Sequence, residues 1–274
     1  MTDGRGDNMA TFGFLGIGNM GGALARALQI RVSGQNNLLS NHSMEKANAL
    51  SAELCCKIAD NKTIAKTVDF IFLGVKPQKM AELLTEISPI LAERRGRFVL
   101  VTMAAGMTVS RIQELAGNIY PVIRIMPNTP SAIGEGRILY TCGEGTTESD
   151  VQVFLEAMAG AGRFSALPET LMDAGTAVAG CGPAFVDLFL EALADGGVAC
   201  GLPRATAMEY AVQMLIGSAK LVLESGKHPG VLKDAVCSPG GSTIQGVRAL
   251  EQAGFRSAVM EAVIAAYEKS KALQ

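Results

Sequence analysis

The segment Thr11-Phe12-Gly13-Phe14-Leu15-Gly16-Ile17-Gly18-Asn19-Met20-Gly21 joins a short apolar run to a G-x-G-x-x-G string. The run at 11–15 predicts a strand, and apolar residues at helical spacing over 20–32 predict a helix directly after the glycines. In that setting each glycine has a reason. Gly16 permits the tight turn, Gly18 lets the backbone approach a pyrophosphate, and Gly21 lets the helix pack on the strand. The helix N-terminus then offers free N–H groups and a favourable dipole to phosphate oxygens. A dinucleotide site follows as the expectation.

Outward from this turn, strand runs recur at 37–40, 69–75, 98–102, 120–126 and 137–142. Helical patterns lie between them at 44–54, 80–92 and 109–115. This alternation predicts parallel β-α-β units in an α/β Rossmann-like doubly wound sheet over residues 1–166. After about Leu167 the strand signals stop. Helical spacing takes over, as in Phe185, Leu188, Phe189, Ala192 and Leu193, and again in Tyr210, Met214, Leu215, Leu221 and Val222. Residues 167–274 therefore read as an all-α domain, small and apolar enough to pack against a copy of itself, which makes it a dimerisation domain.

Cofactor choice is read at the end of the second strand. An acid there would hold the ribose hydroxyls of NADH and repel a 2′-phosphate. The segment is Ser40-Asn41-His42-Ser43, with no acid before Glu45. Ser40 and Asn41 offer hydrogen bonds to a phosphate and His42 offers partial charge, so NADPH is favoured and NADH use stays open.

The bulk numbers close off other classes. The 274 residues suggest two domains, and 24 basic against 26 acidic residues leave a charge of −2, with no footprint for nucleic acid. Unbroken apolar runs such as Phe70-Ile71-Phe72-Leu73 are strand-length, far below the roughly 20 residues of a membrane span. The polar stretch Met1 to Ala10 is not a signal peptide, Met9 is the expected start of the folded part, and Arg5-Gly6-Asp7 reads as chance. Six cysteines without a C-x-x-C pair and two distant histidines, His42 and His228, give no metal cluster and no His-based triad. Reduced thiols in a cytoplasmic protein are the expectation.

Several further strings, in order, carry a family resemblance. They are Phe72-Leu73-Gly74-Val75-Lys76-Pro77-Gln78, Ala104-Ala105-Gly106 and Arg124-Ile125-Met126-Pro127-Asn128-Thr129-Pro130, at strand ends where open α/β sheets bind ligands. The helical half adds Ala179-Gly180-Cys181-Gly182-Pro183-Ala184-Phe185, Glu191-Ala192-Leu193-Ala194-Asp195-Gly196-Gly197-Val198 and Val236-Cys237-Ser238-Pro239-Gly240-Gly241-Ser242-Thr243-Ile244. The set resembles the pyrroline-5-carboxylate reductase family from Thr11 to Ala272.

That resemblance implies reduction of 1-pyrroline-5-carboxylate to L-proline by NAD(P)H, in a homodimer or higher homo-oligomer whose helical domains interlock. It implies that Asn19, Met20, Asn61 and the Val75-Lys76-Pro77 loop contact the dinucleotide, with Ala105, next to Ala104, near the nicotinamide. It implies that Ser238, Gly240, Gly241, Ser242 and Thr243 hold the substrate carboxylate, that Thr243 bonds the ring nitrogen as the catalytic contact, and that Glu169 binds substrate. Two positions depart from the family: Cys181 stands where serine is common, and Ala235 where some members carry asparagine. A β-hydroxyacid dehydrogenase, the nearest rival, needs a lysine early in its helical domain, and 167–204 contains none. A reductase of another cyclic imine and a dinucleotide sensor without turnover stay as alternatives.

Overall fold

The computed structural model describes residues 10–273. Met9 and the Arg5-Gly6-Asp7 triplet lie outside the described residues. The chain divides into two compact units, Met1–Gly180 with Tyr267–Gln274, and Cys181–Ala266.

The first unit is built on one eight-stranded sheet. Its elements begin β1 (Phe12–Leu15), α1 (Asn19–Gln29), β2 (Asn37–Ser40), α2 (Met44–Leu54), β3 (Lys57–Ile58), α3 (Asn61–Thr67), β4 (Phe70–Leu73) and α4 (Pro77–Glu93). They continue with β5 (Val99–Thr102), α5 (Val109–Ala116), β6 (Val122–Met126), β7 (Gly136–Cys142), α6 (Glu148–Ala157), β8 (Gly162–Ala166) and α7 (Met172–Gly175). The strand order is β3-β2-β1-β4-β5-β6-β7-β8. This is the expected doubly wound sheet, with one exception: β7 runs antiparallel to β6. Only a short connection, residues 127–135, separates these strands, too little for the crossover that a parallel neighbour requires.

Apolar side chains cover both faces of the sheet, as a mostly parallel sheet demands. On one face, register pairs Phe12 with Phe70 and Phe14 with Phe72, and each pair stacks, at 5.1 Å and 4.3 Å between centroids. Phe154 of α6 leans on both pairs from above. The helix α6 is anchored by a reciprocal cap between Thr147 and Asp150, and Arg97 Nε donates to Asp150 Oδ1 at 2.8 Å. Burial pushes the Asp150 carboxyl up, but the Arg97 guanidinium and the Thr147 donors outweigh it and hold it below the usual range. A carboxylate held low stabilises the fold above its unfolded value of about 4, and that contribution is lost as pH falls through the folded one. Asp150→Asn should therefore lower stability by about 1–2 kcal/mol at pH 7. The gap from wild type should close in thermal melts taken at progressively lower pH.

After α7 a π-helical stretch, Thr176–Gly180, ends the first unit. The compact first unit thus runs past residue 166, because 169–180 packs back on the sheet: a Cβ on Gly175 would sit 2.4 Å from Leu139 of β7.

The second unit comprises α8 (Gly182–Ala199), α9 (Arg204–Ser225), α10 (Pro229–Ala235), α11 (Ser242–Gln252) and most of α12 (Phe255–Lys271). Among its described residues the buried hydrophobics are Ala194, Ala207 and Ala211, all alanines. Large apolar side chains face outward instead: Leu223 is 71% exposed, Leu188 67%, Met260 63% and Tyr210 60%. Although its apolar residues are interrupted, Glu169–Ala199 is long and apolar enough to cross a membrane by length and composition. It is not one regular helix, since α7, the π stretch and α8 follow one another within it.

Candidate functional site

Two short turns define the site on the first unit. Gly16 adopts φ +99°, a conformation in which a side chain is strained, and a Cβ there would lie 2.8 Å from the backbone of Gly74. In return, a Cβ on Gly74 would lie 2.1 Å from Gly16 O, and one on Gly21 2.5 Å from the same oxygen. The β1–α1 and β4–α4 turns therefore touch backbone to backbone. Gly18 differs. Its φ of −61° suits any residue, and a Cβ would meet nothing within 4 Å. The protein's own packing has no need of glycine there, whereas a ligand laid against that backbone does.

The helices that follow these turns leave donors free. No side chain caps α1, whose N-cap is Gly18, and none caps α4, whose N-cap is Lys76 with Pro77 at its first position. Lys76 is exposed, and Val75 and Pro77 are half-buried. Asn19 and Met20 open α1. The arrangement fits a dinucleotide pyrophosphate, which takes free N–H groups and the positive end of a helix dipole.

At the end of β2 the residues turn out to have distinct duties. Asn41 Oδ1 accepts from Ile17 N at 3.3 Å and its amide donates to Ser43 O at 3.1 Å, so this side chain braces the glycine turn. Ser40 Oγ donates to Asn61 Oδ1 at 2.6 Å, and Asn61 Nδ2 donates to Glu86 Oε2 at 2.8 Å. His42 is exposed beside them.

Ala104 and Ala105 follow β5, and Ala104 N donates to Thr102 Oγ1. Gly106, at φ +73°, lies under the C-terminal turn, where a Cβ would meet Leu273 O at 2.8 Å. Glu169 sits close to this loop. Its Oε1 accepts from Val109 N at 2.8 Å and from Arg124 Nη1 at 2.9 Å. Arg124, on β6, is 1% exposed. Expected as a substrate contact, Glu169 is here the partner of a buried guanidinium and of the first N–H of α5. Arg124 is the residue that the sequence reading left without a role. A lone charge inside Val122-Ile123-Arg124-Ile125-Met126 was the signal, because a buried charge requires a partner.

On the second unit, the loop 238–243 connects α10 to α11. Gly240 takes φ +70°, Gly241 N donates to Ser238 O at 3.0 Å, and a Cβ on Gly241 would strike Ser238 Oγ at 2.4 Å. The loop thus needs glycine at 240, where φ is positive, and at 241 a side chain would first have to displace the Ser238 hydroxyl. It leads into α11 with Gly241 as an N-cap that carries no side-chain cap, and Ser242 and Thr243 stand exposed in its first turn. Backbone donors at that turn suit a carboxylate. Among the described residues no group of three or more His, Cys, Asp or Glu is placed to hold a metal.

Comparison with known proteins gives this geometry a family. Residues 169–273 match the family described as pyrroline-5-carboxylate reductase dimerisation. Residues 11–106 match the one described as NADP oxidoreductase, coenzyme F420-dependent. A pyrroline-5-carboxylate reductase of Glycine max is 38% identical over 266 residues, 96% of either chain. The chain belongs to the pyrroline-5-carboxylate reductase family. The Escherichia coli (strain K12) member is 39% identical across 95% of this chain and 97% of its own. Among solved structures, Plasmodium falciparum pyrroline carboxylate reductase with NADP bound superposes at a TM-score of 0.88, with 33% identity, covering 98% of this chain and 99% of that one. An NADH-preferring ketol-acid reductoisomerase from an uncultured archean, at 17% identity and a TM-score of 0.59, shares the fold alone. Family membership also gives the apolar outer surface of the helical unit a use, since that is the part matched as the reductases' dimerisation region.

Proposed function

We propose that this chain reduces 1-pyrroline-5-carboxylate to L-proline, the last step of proline biosynthesis. NADPH is the hydride donor and NADH a second one, and the active form is a homodimer or higher homo-oligomer in the cytoplasm. The observation that carries this reading is the likeness to reductases over 96% of the chain, which takes in both the glycine turn and the loop 238–243.

A nicotinamide dinucleotide, when bound, supplies the hydride at C4. The residues of the chain do the rest. Gly18, with Asn19 and Met20 behind it, receives the pyrophosphate. Ser40, His42 and Asn61 receive the adenosine end, with Asn41 holding the turn. Lys76 between Val75 and Pro77, and Ala104 with Ala105, line the path toward the nicotinamide. The loop 238–243 holds the substrate carboxylate on N–H groups of Gly240 and Ser242, beside the Ser238 hydroxyl, while Gly241 closes the turn through its bond to Ser238 O. Thr243 Oγ1 hydrogen-bonds the ring nitrogen as it passes from iminium to amine. An imine nitrogen is basic enough to arrive protonated, so orientation, not proton donation, is the main demand.

Loss of 340 nm absorbance with pyrroline-5-carboxylate and either cofactor tests the reaction. Thr243→Val should lower kcat/KM about a hundredfold without moving Tm, because Thr243 is exposed and only its hydroxyl is at stake. Thr243→Ser should stay within about tenfold of wild type. A chain that binds dinucleotide but consumes none with this imine would shift the assignment to another cyclic imine or to a sensor.

A further inference from the structure

We infer that Glu86, a surface residue of α4, sets the balance between NADPH and NADH by fixing the orientation of the Asn61 amide. The inference rests on the reading of Ser40 and Asn61 as the adenosine-ribose end of the dinucleotide site.

The chemistry of the three side chains permits one arrangement. A carboxylate only accepts hydrogen bonds, so the Asn61 amide must turn its nitrogen toward Glu86, at 2.8 Å from Oε2. Asn61 Oδ1 then faces Ser40 and accepts the hydroxyl proton at 2.6 Å. With that proton committed, Ser40 presents lone pairs to a ligand. Lone pairs suit the 2′-hydroxyl of NADH, which donates, better than a 2′-phosphate, which only accepts, so the relay tempers the NADPH preference of the acid-free segment 40–43 and keeps NADH usable. Glu86 thus acts two bonds away, through Asn61, on what Ser40 can offer. It is a positioning residue that touches neither substrate nor cofactor. Its own charge acts in the same direction, because a carboxylate bonded to a ribose-end residue disfavours an added phosphate.

Replacing Glu86 by glutamine lifts the constraint, because its amide offers a donor as well as an acceptor. The side-chain amide introduced by Glu86→Gln can donate to Asn61 Oδ1, so Asn61 can rotate and give Ser40 Oγ an N–H. The Ser40 proton is then free for a phosphate oxygen. A hydrogen bond to a charged acceptor of this kind changes affinity by about tenfold or more.

The experiment compares wild type, Glu86→Gln, Asn61→Ala and the double variant as full-length protein. It measures kcat and KM for both cofactors with pyrroline-5-carboxylate, and Kd for NADP+ and NAD+ by calorimetry without substrate. Glu86→Gln should raise the ratio of kcat/KM for NADPH to that for NADH about tenfold. The change should lie in cofactor KM, with kcat and imine KM unaltered. In the Asn61→Ala background the same substitution should shift the ratio by less than about threefold, since the relay is already gone. An unchanged ratio in Glu86→Gln overturns the inference. A shift equally large with and without Asn61 overturns the relay and leaves a plain charge effect. Should the wild type consume neither cofactor with this imine, the reductase reading fails on its own, and the NADP+ to NAD+ ratio of Kd still decides the role of Glu86.

Discussion

Gly18→Asp should leave the protein as stable as wild type, or slightly more so, while raising the Kd for either dinucleotide at least about a hundredfold. The two effects have separate causes. Gly18 is the N-cap of α1 with φ −61° and ψ −168°, a conformation in which aspartate is a preferred cap, and its Cβ would project into open space. The carboxylate would accept from N–H groups of the first turn, satisfying the donors that the pyrophosphate needs, and would place like charge against the phosphates. Gly21→Ala makes the contrast. Its Cβ falls 2.5 Å from Gly16 O, a backbone atom that cannot swing aside. That change should cost about 3 kcal/mol and lower Tm by roughly 6–12 °C. Paired calorimetric titrations and thermal melts check both. A Gly18→Asp variant that binds NADP+ as tightly as wild type would remove Gly18 from the phosphate site.

Glu169→Ala should destabilise the protein by about 3 kcal/mol, with a fall in Tm comparable to that of Gly21→Ala. Arg124 is 1% exposed, and its Nε and Nη2 have no protein partner among the described residues, so Nη1 to Glu169 is the bond that offsets its charge. Stripping the partner from a buried guanidinium is penalised far more heavily than losing a surface pair, although the half-exposed side of Glu169 lets water relieve part of the penalty. The substitution also frees Val109 N, loosening α5 just beyond the 104–107 loop. A residue whose duty was confined to substrate would behave otherwise, raising the KM for the imine at an unmoved Tm. Arg124→Met combined with Glu169→Ala should recover much of the stability, because no charge is then left buried.

What the sequence made legible follows from how strongly local chemistry constrained each piece. The glycine turn was readable because Gly16, Gly21 and Gly74 are held by backbone contacts that admit no side chain. The strands 12–15, 70–73 and 99–102 were readable because both faces are buried, leaving uninterrupted apolar runs. Missed were β3, with two residues, and β8, a half-exposed edge strand reading Gly-Arg-Phe-Ser-Ala, because neither carries a periodic signal. The helix α6 was within reach, since Thr147 and Asp150 have the spacing of a reciprocal cap. The antiparallel turn of β7 depends on a connection length, not on residue type. The roles of Asn41, Glu86 and Glu169 come from contacts between residues far apart in the chain, and no local pattern encodes them.

The helical unit, whose described residues bury only three alanines, alters the order of the folding reaction itself. A unit without an interior gains its burial on meeting another surface, so protein concentration enters its stability as a variable. Dilution should then act on these helices as a denaturant would, whereas the sheet unit buries its apolar side chains on both faces within one chain. Newly made molecules would pass through a stage with a finished nucleotide fold and an unfinished helical half, and the time spent there would shorten as synthesis outpaces dilution. In such a protein, expression level is a structural parameter.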